Sequence, residues 1–297
     1  MWQPPRNAVL VGVDGSAAAL GAVRWAALTA ALRDAPLALV HVVDDPVPGW
    51  LRAGAAVGHR QQHRAREVVT SAIRVAEQST GERGLVQVDG EVIYSTAVAT
   101  LVALSKEVEM VVVGYRGYGG VLARSVLGSV SSGLVYNAHC PVAVIHNGEP
   151  LPSNVAQAPV LVGIDGSSAS EAATAIAFEE ASRRRVGLIA FHAWADPREF
   201  NSNNAFQDTR WDSRLSEEEE TLAERLAGWH ERYPNVAIRR RIEIGDPAHC
   251  LIEASELAQL MVVGSHGRGG FAGALLGSVG SAVVNRAKIP VIVVRQP

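Results

Sequence analysis

Six glycines, Gly264, Gly267, Gly269, Gly270, Gly273 and Gly277, fall within fourteen residues of one another, directly after the apolar run Met261–Val263. A plain turn needs one or two glycines. So many in a row let the backbone adopt positive φ and let a ligand approach main-chain N–H groups with no Cβ in the way. Successive N–H groups in such a loop form an anion nest, and the helix expected to begin near Gly277-Ser278 adds its free amides and positive dipole end. The chemistry this suits is phosphate binding. Ser278 and Ser281, with Ser129 and Ser131 in an earlier matching loop, can cap that helix or donate to a phosphate. The alternative is a glycine-rich connection that holds no ligand.

The second candidate set is the aspartate in VGVDGS and VGIDGS, Asp14 and Asp165. A carboxylate there can fold back as an Asx-type turn before a helix, or accept from ribose hydroxyls or an adenine edge. With about four acceptor sites it can do both. Neither Lys106 nor Lys288, the chain's two lysines, follows a glycine, so no Walker A loop is present. A Rossmann fingerprint and a G-x-S-x-G elbow are also missing. These absences weigh against a P-loop ATPase, a dehydrogenase and a hydrolase.

The elements that position these residues are written twice. VLVGVDGS at Val9–Ser16 recurs as VLVGIDGS at Val160–Ser167, and ALVHVVDD at Ala38–Asp45 is echoed by LIAFHAWAD at Leu188–Asp196. Likewise VVVGYRGYGG from Val111 returns as MVVGSHGRGG from Met261, and CPVAVIH from Cys140 as IPVIVVR from Ile289. This is a tandem duplication, with domains expected at 1–148 and 159–297 joined by a Pro-rich linker at 149–158. Within each copy short apolar runs alternate with helical stripes. In the first, strands are expected at Val9–Val13, Pro36–Val43, Leu85–Ile93, Met110–Val113 and Pro141–Ile145. Helices are expected after Ser16, over His59–Gln78 and Thr96–Lys106, and along Val130, Leu134, Val135 and Ala138. In the second copy Ser168 and Glu171 have capping-box spacing. The fold class that follows is α/β: two tandem doubly wound parallel five-stranded sheets with helices on both faces. Ligands in such sheets sit at the carboxyl ends of strands. If the first and fourth strands are neighbours, the Asp turn and the glycine loop share one crevice.

Those repeated segments together resemble the universal stress protein family in its tandem-domain form, over nearly the whole chain. The ATP-binding branch of that family carries G-x2-G-x9-G-[S/T]. The second copy fits, with Gly264, Gly267, Gly277 and Ser278; the first has ten residues between Gly117 and Gly128. That extra residue either bulges harmlessly or misplaces the second phosphate contact. The resemblance implies adenine and ribose contacts at Gly12, Asp14 and Val42, and at Gly163, Asp165, Ala193 and Asp196. It implies phosphate contacts at Gly114, Gly117, Gly120, Gly128 and Ser129, and at Gly264, Ser265, Gly267, Gly270, Gly277, Ser278 and Val279. Arg116 and Arg268 lie inside the loops as candidate phosphate cations or solvated arginines, and His266 stands where the first copy has Arg116. ATP is the cofactor implied, with Mg2+ expected only because nucleotide phosphates bring it.

A formal net charge of -3 with no basic block argues against nucleic acid. The start has no signal-peptide pattern and no apolar run reaches bilayer length, so a cytoplasmic location and no membrane partner are expected. Cys140 and Cys250 read as buried small hydrophobes. His59 and His63 share a helix face as a possible metal pair, with no third ligand evident. Trp50 and Trp211 fall in the variable stretches after each second strand. The fifth strand is an apolar edge that invites pairing, and the resemblance implies a homodimer. Three classes of function stay open: a nucleotide-responsive regulator of stress or growth state with an unknown protein partner, a slow ATP-hydrolysing or phosphotransfer enzyme, and a nucleotide-free interaction or chaperone-like protein.

Overall fold

The structure is a computed structural model that describes residues 2–44, 55–81, 86–117, 127–146, 156–194, 208–267 and 276–295, without the side chains of 55–58 and 208–214. Two compact units are present, Met1–Pro150 and Leu151–Gln296.

In the first unit the order is β1 (Val9–Gly12), α1 (Ala17–Arg33), β2 (Leu37–Val43), α2 (Ala55–Thr80), β3 (Val88–Tyr94), α3 (Ala97–Leu104), β4 (Met110–Gly114), α4 (Ser129–Asn137) and β5 (Val142–Ile145). Its strands are all parallel in the order β3-β2-β1-β4-β5. The second unit repeats this with β6 (Val160–Gly163), α5 (Ser168–Arg184), β7 (Leu188–Trp194), α6 (Asp208–Arg232), β8 (Ile238–Ile244), α7 (Pro247–Ala254), β9 (Leu260–Gly264), α8 (Ser278–Arg286) and β10 (Val291–Val294). Its order is β10-β9-β6-β7-β8, again parallel. The expected α/β fold with doubly wound parallel sheets is therefore the observed one.

Both faces of the central strands are covered, which is why they read as unbroken apolar runs and not as alternation. Val9, Leu10 and Val11 are fully buried, as are Val160, Leu161 and Val162. Helices α1 and α2 pack together, and α3 packs with α4. In the second unit Phe178 of α5 stacks on Trp229 of α6 at 5.2 Å between ring centroids, and α7 packs on α8.

Two local expectations change. The third strand begins at Val88, and Leu85, its expected start, lies outside the described residues. The cap of α5 is Ser167, not Ser168: its side chain accepts from the Ser170 amide, and Glu171 lies in the first turn. The reach of Ser167 back to Asp165 decides this, as the site geometry shows. The expected linker lies mostly outside the described residues, but Gln259 Nε2 donates to the carbonyls of Ala156 and Ala158 at 2.8 and 2.6 Å and so fixes its end.

Candidate functional site

The turn after the first strand of each unit is built by its own sequence. Gly15 has φ +80° and Gly166 φ +78°, a left-handed conformation that favours glycine. Asp14 Oδ1 accepts from the Ser16 amide at 2.9 Å, and Asp165 Oδ1 accepts from the Ser167 amide at 2.9 Å and its hydroxyl at 2.6 Å. Ser16 and Ser167 then cap α1 and α5. The Asx-turn role of both aspartates is thus realised, with Oδ1 serving the turn. Oδ2 points elsewhere, toward the glycine loop.

Strand β1 pairs with β4 and β6 with β9, so the Asp turn and the glycine loop do share one end of each sheet. Each loop glycine has its own physical cause. A Cβ on Gly264 would stand 2.8 Å from the backbone carbon of Ala169, and one on Gly114 would stand 2.7 Å from that of Ala18. Those two glycines let the fourth strand approach the first turn of α1 or α5. A Cβ on Gly267 would stand 2.5 Å from Asp165 Oδ2, and Gly117 meets Asp14 Oδ2 in the same way. Glycine there makes room for the carboxylate.

Gly128 and Gly277 are different. Their φ and ψ, -60° and 153° and -68° and 159°, suit any residue, and a Cβ on either would meet nothing closer than 3.4 Å. Each is the N-cap of its helix, α4 or α8, and neither helix has a side-chain cap. Ser129 and Ser278 are therefore first helical residues and not caps. Ser131, a candidate phosphate donor, instead donates to the Gly114 carbonyl at 2.7 Å and ties α4 to β4.

The extra residue in the first loop leaves no trace on this geometry. Gly128 N donates to Tyr115 O at 3.0 Å as Gly277 N donates to Ser265 O at 2.7 Å. A Cβ on Gly128 would face Tyr115 O, Arg116 Cα and Gly117 N, and one on Gly277 would face Ser265 O, His266 Cα and Gly267 N. Gly117 and Gly128 themselves therefore stand as Gly267 and Gly277 do.

In the second unit a cavity of about 430 Å3 opens at this place. Ten predicted residues line it: Gly163, Asp165, Ala193, Gly264, Ser265, His266, Gly267, Gly277, Ser278 and Val279. Asp196, Arg268, Gly270 and Gly120 lie outside the described residues. Ile164, Ser170, Phe191, Pro247, Leu251 and Leu276 also line it and were not anticipated. Alternation along a strand puts Phe191 on the face of Ala193, which was the available signal for it. Ser170 accepts from the Gly166 amide at 3.0 Å and braces the turn. Ser265 is buried with its hydroxyl 2.9 Å from His266 Nδ1.

In the first unit Gly12 packs under Leu101, with 3.2 Å from a would-be Cβ to Leu101 Cδ1. Val42 sits on β2 opposite Ile93. Arg116 lies 5.3 Å from the Tyr115 ring centroid, and that ring stacks on His146 at 4.7 Å.

Other candidates have structural roles. His63 pairs with Glu67 at 3.2 Å on the exposed side of α2, and no group of three metal-ligating side chains occurs among the described residues. Cys140 and Cys250 are free and buried. Burial pushes the Cys140 thiol up to about 12; burial first, then the Glu243 carboxylate, raises that of Cys250. Trp50 lies outside the described residues, and of Trp211 only its place in α6 is described. No described helix is long and apolar enough to cross a membrane.

The sequence profile of the universal stress protein family matches twice, over residues 5–146 and 158–295. The chain belongs to this family. A universal stress protein of Mycobacterium tuberculosis is 50% identical over 290 residues, covering 97% of this chain and 96% of its own. One from Mycobacterium bovis is 48% identical over 294 residues, covering 98% of each. The crystal structure of a universal stress protein from Archaeoglobus fulgidus superposes with a TM-score of 0.69 at 20% identity, covering 98% of this chain and 99% of its own. That last likeness concerns the fold alone.

Proposed function

We propose that each unit binds an adenine nucleotide, ATP by preference, and that the chain is a nucleotide-responsive regulator of the stress or growth state and not an efficient enzyme. One observation carries this reading. The backbone at Gly277 has φ -68° and ψ 159°; at the serine caps Ser16 and Ser167 it has -72° and 158°, and -75° and 157°. Serine fits that geometry and is the better cap, yet glycine stands there in both units. The amides of the first turn are thereby left for something else, and an anion is what they suit.

The rest of the cavity fits a nucleoside attached to that anion. Ile164, Phe191, Leu251 and Val263 supply an apolar wall for a base, and Asp165 Oδ2 is an acceptor for ribose hydroxyls. Ser278, Val279 and Gly280 offer amides to phosphates. A volume of about 430 Å3 is within the range of small-molecule sites. Mg2+ would arrive with the phosphates. Binding, not turnover, is supported by the way both Ser167 bonds occupy Asp165 Oδ1, which commits the carboxylate to the turn. In this reading a cytoplasmic homodimer passes occupancy to a protein partner, without nucleic acid or membrane.

The test is to denature the purified protein and identify released nucleotide by mass and amount per chain. Two ATP per chain supports both sites, and one, missing after a Gly277 substitution, supports the second alone. No released nucleotide and no heat on titrating ATP would end the proposal.

A further inference from the structure

The strand-end aspartates are aimed by more than their own turns. In the second unit the pairing of β6 with β7 ends at Gly163 and Phe191, and Ile164 N donates to Phe191 O at 2.8 Å. The carbonyl of that same Ile164 is met by a side chain: His192 Nδ1 lies 2.6 Å from its oxygen. The first unit repeats the arrangement. Gly12 pairs with Val40, Val13 N donates to Val40 O at 2.9 Å, and His41 Nδ1 lies 2.7 Å from the Val13 carbonyl oxygen. A carbonyl can only accept, so Nδ1 carries the proton in both rings.

That carbonyl belongs to the peptide that carries the amide of the next residue, Asp14 or Asp165. A peptide unit is planar, so a bond to its oxygen also fixes the plane from which the aspartate starts. The second restraint acts on the carboxylate, where Oδ1 accepts from the amide of Ser16 or Ser167. Each aspartate is thus held from both directions, with its Oδ2 set against Gly117 or Gly267.

The histidine of the second unit does this from the far face of the sheet. Phe191 and Ala193, on either side of His192, line the cavity, and strand alternation turns His192 away from them. Its ring is buried and stacks on Trp194, with centroids 6.2 Å apart, and its Nε2 lies 3.3 Å from a carboxylate oxygen of Glu218 on α6. The ring is therefore held at both edges, and it acts on a ligand only through Ile164. A histidine kept to fill space would need no polar partner at a particular ring atom. Both copies set the same atom on the same carbonyl.

We propose that His41 and His192 are positioning residues for the nucleotide sites: each donates from Nδ1 to the carbonyl before the strand-end aspartate and so aims that carboxylate at the ribose. The effect on ATP rests on the nucleotide reading above; the positioning of the aspartates does not.

The test replaces both histidines at once in the full chain. Asparagine keeps an N–H at the place of Nδ1, whereas glutamine moves it to the place of Nε2. Hydrogen exchange at the Ser16 and Ser167 amides, which the aspartates hold, reads the positioning without any ligand. The His41→Gln/His192→Gln variant should exchange these amides about fivefold or more faster than the parent, the difference that one hydrogen bond makes. The His41→Asn/His192→Asn variant should stay within about twofold of the parent. ATP affinity by calorimetry should follow the same order. Equal exchange in the parent and the glutamine variant, or an asparagine variant no better than the glutamine one, overturns the proposal. A bare Nδ1 on either ring in nitrogen NMR of the parent overturns it too, and that measurement needs no variant to fold. A parent that binds no ATP ends the nucleotide reading, and exchange then decides the positioning alone. Exchange in the expected order with equal ATP affinity in all three proteins overturns the link between aspartate and ribose.

Discussion

Asp165 and Gly267 are fitted to each other: the carboxylate oxygen Oδ2 occupies the space a methyl group on Gly267 would need, at 2.5 Å. The same fit joins Asp14 to Gly117. A loop glycine and a strand-end aspartate, far apart in sequence, therefore act as one unit. Gly267→Ala must displace Oδ2 and so disturb the carboxylate whose Oδ1 holds the turn, so it should lower the melting temperature without any ligand and weaken ATP binding together. Melting curves of the nucleotide-free protein check the first effect and calorimetry the second. An unchanged melting temperature would show that the carboxylate has room to move.

Gly277→Ser should separate the two effects. Its backbone already has the serine-cap conformation, so the substitution should stabilise the fold by a few tenths of a kcal/mol, about what a serine cap gains over glycine. The hydroxyl would claim the amides that the proposed phosphate needs, and its Cβ would enter the cavity. ATP affinity should fall by about tenfold or more, the loss expected for one or two charged hydrogen bonds. A stabilised variant that still binds ATP as the parent does would remove the observation on which the nucleotide reading rests.

Much of this was legible in the sequence, and the exceptions have a common cause. Strands such as Val9–Gly12 and Val160–Gly163 are buried on both faces, so their apolar runs announce them directly. The six glycines of the second loop looked alike. Their separate causes, Ala169 behind Gly264 and Asp165 beside Gly267, lie on other elements and depend on strand order. Ser131 looked like a phosphate donor because nothing local shows that the Gly114 carbonyl is within reach. The serine cap was read one residue late, because Ser167 is drawn back by Asp165. Phe191 was missed although its spacing from Ala193 places both on one face.

Gly264→Ala tests a packing role that sequence alone would assign to ligand binding. The added Cβ would press on the Ala169 backbone at the start of α5, where no flexible side chain can yield. Overpacking of this kind costs about 1–3 kcal/mol. Urea unfolding of the nucleotide-free protein should show that loss, whether or not ATP is later found to bind.

Among the described residues of the second unit, the pair Glu180 and Arg184 should be the costliest ion pair to break. Its two side chains retain 2% and 11% of their exposure and meet at 2.9 Å. Arg184 also reaches Gln259, which holds the chain leading into β6. Glu180→Ala leaves a buried guanidinium without its carboxylate, a change that costs about 3–5 kcal/mol. Glu179→Ala, on the half-exposed pair with Arg183, should cost under about 1 kcal/mol. Equal losses in the two variants would mean that burial does not set the value of these pairs.

Cys140 should be inert in the native protein. With its thiol pushed up to about 12 by burial, only about one molecule in ten thousand is thiolate at pH 8. Reaction with iodoacetamide requires the thiolate, so native labelling should run on the order of a thousandfold slower than in the unfolded chain. Cys250 is raised as well, by burial and by the Glu243 carboxylate, so it should also label slowly. Raising the pH from 7 to 9 increases the Cys140 thiolate about tenfold per unit without bringing it near half. Mass spectrometry of timed alkylation, native against urea-unfolded, reads this directly. Rapid native labelling at Cys140 would mean that β5 opens locally, since the closed structure offers the reagent neither thiolate nor access.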